Sequence, residues 1–167
     1  MIKWTLIVLA GVVFTACVVA GIGWMLPRGH RASKTVVLRS EPAVVFAVIT
    51  DFAAAPSWRP ELKRVEMLPT DHGRTVFKEV SSDGAVTFRV EQMTSPSRLV
   101  TRIADASLPF GGTWTFDVAP ENGGTALTIT EDGEVYNPLF RFMSRFVFSP
   151  AATIERYQEN LRRRLAR

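Results

Sequence analysis

Apolar residues recur along this chain with two different periods, after an opening run that carries no charge at all. Residues 4–26 contain no Asp, Glu, Lys or Arg. As a helix rising about 1.5 Å per residue, that run just exceeds a hydrocarbon core of roughly 30 Å, so it predicts a transmembrane helix. The pattern then shortens. Residues 35–39, 62–68, 75–80, 86–93, 99–104, 113–118 and 125–131, the last continuing towards Tyr136, have the apolar, β-branched character of strands. They are separated by dense turn punctuation, of which Asp83-Gly84 is the strongest local hairpin signal.

Two short helices interrupt the strands. Ser40-Glu41-Pro42 reads as a helix start, with Ser40 as cap and residues 43–49 as the helix. Residues 51–58 read as a second one, with Asp51 near its cap and Pro56 and Pro60 bracketing Trp58. From Asn137 the period becomes helical through Leu139, Phe142, Met143 and Phe146, then Ile154, Tyr157, Leu161 and Leu165. Pro150 kinks or restarts that helix, with Ser149 as the new cap, and leaves residues 139–148 as a separate turn or short helix. This order predicts an α+β domain, an antiparallel sheet of about seven strands wrapped around a long C-terminal helix. The expected division is an anchor over 1–27, a polar linker over 28–34 and one ligand-binding domain over 35–167.

Charge narrows the partners. Of 20 Lys and Arg against 16 Asp and Glu, Lys3, Arg28, Arg31 and Lys34 all fall before residue 35, where there is no acid. The rest of the chain is formally neutral, which lacks the basic footprint of a nucleic-acid binder. The excess of positive charge after the span, relative to Lys3 before it, favours a single-pass protein with its domain on the cytoplasmic side. Trp4 and Trp24 stand near the two ends, where indoles prefer the interface. A cleaved signal peptide is the alternative, because Gly21 and Gly23 could form part of a cleavage site, although its apolar region would be about 7–15 residues. Cys17 is the only cysteine, so no intrachain disulfide can form. A monomer is expected.

The layout resembles a known family. Glu41-Pro42-Ala43-Val44-Val45-Phe46, Pro56-Ser57-Trp58-Arg59-Pro60, Gly124-Thr125, Thr130-Glu131-Asp132-Gly133-Glu134 and Ile154-Glu155-Arg156-Tyr157 are similar in arrangement to the polyketide cyclase/dehydrase and lipid-transport superfamily, the START-like helix-grip domains. The resemblance covers roughly residues 35–165. It implies a deep, mostly apolar cavity between sheet and terminal helix, in a superfamily whose members bind lipids, quinones, polyketides or hormones and only sometimes catalyse.

Candidate chemistry is sparse. His72 sits in an Asp71-His72-Gly73 turn and His30 in the linker, and no metal-ligand spacing, nucleophile elbow or phosphate loop is present. No cofactor or metal is expected. Leu127, Ile129 and Glu131 alternate onto one face, so a cavity lined by the first two also receives the carboxylate. Such a group needs a partner or its pKa rises. Arg102 is the candidate partner, and Glu79 shares a face with Thr75 and Phe77 while Val76 and Val80 compete for the interior. Trp58, Phe88, Trp114, Phe116 and Phe142 are the aromatic lining candidates. Phe110 lies in an apolar connection, residues 106–112, that either lids the cavity, dips into a bilayer or packs locally.

The function expected is membrane-anchored binding of a hydrophobic small molecule or lipid. The alternatives are a cyclase or dehydratase using Glu131, and a partner-binding domain whose cavity has collapsed. The protein is expected in the membrane fraction after an alkaline wash, with a soluble folded domain from a chain beginning near Ala32. A soluble mature chain beginning near residue 24 would show that the apolar run is a signal peptide.

Overall fold

The computed structural model describes residues 2–146 and 150–166. Phe148, Ser149 and Arg167 of the sequence reading lie outside the described residues. The chain opens with helix α1 (Ile2–Met25), which is followed directly by strand β1 (Gly29–Leu38). Helix α2 (Pro42–Thr50) and a single 3₁₀ turn at Ala55–Ser57 lead into a run of antiparallel strands: β2 (Leu62–Asp71), β3 (Arg74–Ser81), β4 (Ala85–Thr94), β5 (Arg98–Ile103), β6 (Phe110–Glu121) and β7 (Gly124–Val135). Two helices close the chain, α3 (Pro138–Phe146) and α4 (Pro150–Leu165).

The strands form one seven-stranded sheet in the order β1-β7-β6-β5-β4-β3-β2. The first and second strands therefore occupy opposite edges, and α2 with its 3₁₀ turn bridges between them. The hairpin between β3 and β4 turns where expected. Gly84 there has φ 138°, a conformation that L side chains rarely adopt.

Helix α4 lies across the inner face of the sheet. Ile154, Tyr157 and Leu161 are buried at helical spacing against Leu127 and Ile129 of β7, Phe116 and Val118 of β6, and Val45, Phe46 and Ile49 of α2. Gln158 of α4 is also buried, and its side-chain amide donates to the backbone carbonyl of Lys34, at 2.9 Å. The Lys34 ammonium reaches Glu155, so α4 is also tied to the sheet edge.

Four expectations need correction. Residues 28–34 are not a linker: Gly29 to Ser33 pair with Glu134 to Thr130, because β7 continues to Val135 and its backbone groups require a neighbour. Residues 51–58 form only turns and the short 3₁₀ segment, since the Pro56 ring clashes with a preceding helical turn and Pro60 disfavours a helical Arg59. Glu41 rather than Ser40 takes the cap position of α2, without a side-chain cap bond, and the Ser40 carbonyl accepts instead from the Thr125 hydroxyl at 2.6 Å. Phe110, Gly111 and Gly112 are the start of β6, paired with Val135, Glu134 and Gly133, so the apolar tip is shorter than expected.

Leu161 is fully buried under the sheet. In a chain trimmed to begin at Pro27, Leu161→Ala is expected to lose about 2–5 kcal/mol in urea denaturation. A loss near zero would mean that α4 does not hold the core together.

Candidate functional site

The inner face is not filled. A cavity of about 620 Å³ opens between the sheet, α4 and the 3₁₀ turn. That volume falls within the roughly 300–1,000 Å³ of small-molecule pockets. Its walls are mostly apolar and aromatic. Phe77 and Phe88 face each other across β3 and β4 with ring centroids 5.4 Å apart, and Phe52 stacks on Phe77 at 4.1 Å. Trp114 and Phe116 project from β6 at alternate positions and meet the Tyr157 ring of α4 at 6.2 and 5.4 Å. Trp58 meets that ring edge-on at 5.2 Å.

Polar residues also enter this lining, and two clusters of them are paired across elements. At the first, the Arg59 guanidinium donates to both carboxylate oxygens of Glu79, at 2.5 and 3.1 Å, and to Glu61 at 2.9 Å. Burial works against the Arg59 charge, but Glu79, the neighbouring Tyr157 and Glu61 favour it, and its pKa rises. Tyr157 is buried, which pushes its phenol pKa up despite the guanidinium nearby. Beside this group the Trp58 indole N–H is buried without a hydrogen-bond partner among the described residues. Trp58 is 9% exposed and lines the cavity with its ring, while the N–H itself is buried and would meet an acceptor there only after a shift of the ring.

At the second, Glu131 sits opposite Trp114 in the β6–β7 register and faces the imidazole of His30 at 3.4 Å. Burial raises the Glu131 pKa above the ordinary carboxylate value, while His30 works in the other direction. His30 comes from β1, where it pairs with Gly133, and a Cβ at Gly133 would collide with the imidazole ring. The absence of a side chain there leaves His30 its place.

The structure therefore brings together Trp58, Phe88, Phe110, Trp114, Phe116 and Glu131 around one space. Two expected members lie elsewhere. Arg102 is exposed, because Leu99, Thr101 and Ile103 take the inward face of β5, and Glu131 is partnered by His30 in its place. Phe142 packs on Phe146 at 4.8 Å, and Phe140 and Ser144 are the residues of α3 that border the cavity. His30 and Arg59 were not among the expected site residues. The inward alternation of His30, Ala32, Val36 and Leu38 is a signal that could have found the first.

Sheet, gripped helix and interior cavity define a helix-grip domain. No curated protein matches the sequence. The family model described as polyketide cyclase / dehydrase and lipid transport matches residues 29–167, and the chain belongs to that family. Among solved structures, a START superfamily protein from Mycobacterium smegmatis is 21% identical, with 82% of this chain and 97% of that one covered and a TM-score of 0.65. The ZhuI aromatase/cyclase from Streptomyces sp. R1128 is 12% identical, with 83% and 94% covered and a TM-score of 0.65. Norcoclaurine synthase from Thalictrum flavum is 8% identical, with 83% and 87% covered and a TM-score of 0.65. At these identities the likeness is one of fold.

A carboxyl whose pKa is raised on folding is protonated in the folded chain over a window where the unfolded chain has already ionised. Stability then falls as pH climbs through that window, from the ordinary carboxylate value to the raised one. Denaturation of the trimmed chain from about pH 4 to about pH 7 is expected to show this slope and to lose it in Glu131→Gln. An unchanged slope in the variant would place the titration elsewhere.

Proposed function

We propose that this protein is a membrane-anchored binder of a hydrophobic small molecule or lipid, held between the sheet and the C-terminal helix. The observation that carries this reading is the cavity itself, with aromatic walls and one unpartnered indole donor. Trp58, Phe88, Phe110, Trp114, Phe116 and Glu131 are proposed to contact the ligand. Apolar burial against the rings supplies the affinity, at about 25 cal/mol per Å². The Trp58 N–H and the Glu131 carboxyl orient it, so a ligand with an apolar body and an acceptor oxygen such as a carbonyl fits the donor. Helix α1 supplies the anchor in this reading. It is apolar enough to cross a membrane from Lys3 to Met25, with its side chains outward.

A second reading, catalysis of the cyclase or dehydratase type, is favoured by the His30–Glu131 pair. A carboxyl whose pKa is raised by burial keeps its proton to higher pH than an ordinary carboxylate and can donate it to a group placed beside it. Under this reading Glu131→Gln abolishes turnover of a hydrophobic substrate and leaves its binding nearly intact.

The binding reading is tested with a pair of fluorescent probes, a naphthyl alkyl ketone and the matching alkyl naphthalene. Both are expected to bind. Trp58→Phe removes the indole donor and retains an aromatic ring, so affinity for the ketone should fall by about 2- to 10-fold, the worth of one hydrogen bond, while the hydrocarbon is little affected. Failure of both probes to bind would remove the cavity from function, and equal losses for both would remove the hydrogen bond.

A further inference from the structure

The end of the cavity bordered by α3 is also the end nearest α1. Four chain segments converge there. Arg28, three residues past the end of α1, accepts a backbone hydrogen bond from Val135 at the end of β7, and Tyr136 donates its backbone N–H to the Pro109 carbonyl just before β6. His30, Phe110, Val135 and Phe140, all close to these junctions, line the cavity.

Helix α3 packs along the end of α1, and two of its contacts there fix its position. Gly23 lies against Pro138 so closely that a Cβ would run into the Pro138 carbonyl, which only glycine permits. Arg141, 5% exposed, donates to the carbonyls of Trp24, Leu26 and Tyr136 at 3.4, 3.1 and 3.0 Å. The first two belong to the last turn of α1 and the residue after it, where carbonyls have no partner further along the helix. Arg141 thus caps one helix from within another, and the position of α3 follows that of the end of α1.

What α3 turns outward is apolar. Leu139, Phe140 and Phe146 are 50%, 48% and 63% exposed, and Trp24, Met25 and Tyr136 beside them are exposed as well. Arg28 and Arg145 are exposed among these residues. A helix of 24 residues rises about 36 Å, a little more than a hydrocarbon core of roughly 30 Å, so its last turn emerges at the headgroups. Exposed aromatics with nearby arginines suit that layer.

We infer that α3 lies in the bilayer interface and presents the Phe140 end of the cavity to the lipid surface of the anchoring membrane, not to bulk water. The occupant of the apolar face of α3 is the lipid around α1. This deepens the proposed function and rests on its membrane anchor, since an apolar ligand would then reach the cavity from the bilayer.

The test uses the full chain in phosphatidylcholine vesicles, with an environment-sensitive fluorophore on one cysteine at a time. The label is placed on the native Cys17, or, in a Cys17→Ser background, on Phe140→Cys, Phe146→Cys or the exposed turn residue His72→Cys. Doxyl-labelled lipids and aqueous iodide serve as quenchers. Labels at 17, 140 and 146 are expected to lose most of their emission to doxyl lipid and little to iodide, and the label at 72 the reverse. Adding Arg141→Gln is expected to move the response at 146 towards iodide while that at 17 stays with lipid. If 17 responds to lipid but 140 and 146 respond to iodide, the anchor stands and the inference falls. Labels at 140 and 146 shielded from both quenchers would show a protein partner or second copy on this face and also overturn it. A label at 17 reached by iodide overturns both the anchor and the inference.

Discussion

One helix has to cover one face of a seven-stranded sheet, and it is too narrow to do so. Strands about 4.8 Å apart make such a sheet roughly 29 Å across, whereas a helix with its side chains is about 10–12 Å in diameter. Helix α4 packs against the β1 and β7 side, and Leu127, Ile129, Ile154 and Leu161 are fully buried where they meet. Helix α2 and the 3₁₀ turn cover part of what remains. The rest is the cavity, walled largely by side chains of β3 to β6, with β7, α3 and α4 at its borders. The aromatic rings of Phe77, Phe88, Trp114 and Phe116 narrow this space without closing it.

The polar residues inside it have different standing. Arg59 and Glu79 satisfy each other with two hydrogen bonds, and Asn160 of α4 donates to Glu61 beside them. A buried pair of this kind adds little net stability over apolar residues of similar size, because desolvation of both ions offsets their attraction. Its effect here is to fix the position of Trp58 and Tyr157, with the Arg59 guanidinium 5.1 Å above the Tyr157 ring. Glu131 is less well satisfied. Its carboxyl has one imidazole at 3.4 Å, and burial raises its pKa. The first group is already complete, while the Glu131 carboxyl and the Trp58 N–H keep hydrogen-bonding capacity that no described residue uses.

Much of this was legible in the sequence, for physical reasons that also mark where legibility ended. The strand order followed from turn residues, and the inward face of Glu131 followed from its two-residue spacing from Ile129 and Leu127, which are buried as expected. Period two could not decide between faces of β5, where both were partly apolar, and Arg102 proved to be outside. In β1 the alternation of His30, Ala32, Val36 and Leu38 is present but broken by exposed Lys34, and the polar run around it reads as a linker. The phase of α3 differs from its sequence pattern for another reason. Its stripe of Leu139, Phe142, Met143 and Phe146 suggested packing on the sheet, but α3 packs on α1, and its most buried side chain among these neighbours is Arg141. Helical periodicity identifies a face and does not identify what lies opposite it. The Arg59–Glu79 pair joins residues 20 positions apart that only the folded sheet brings together.

The central claim is that the space between sheet and helix exists to hold an apolar molecule. Native mass spectrometry of the full chain purified gently from the cells that make it tests this most directly. The account predicts a single adduct of a few hundred daltons, a size suited to a pocket of this class, that is extracted by organic solvent and is absent after denaturation. Bare protein in every charge state, together with failure of added quinones, fatty acids and aromatic ketones to form an adduct, would contradict it.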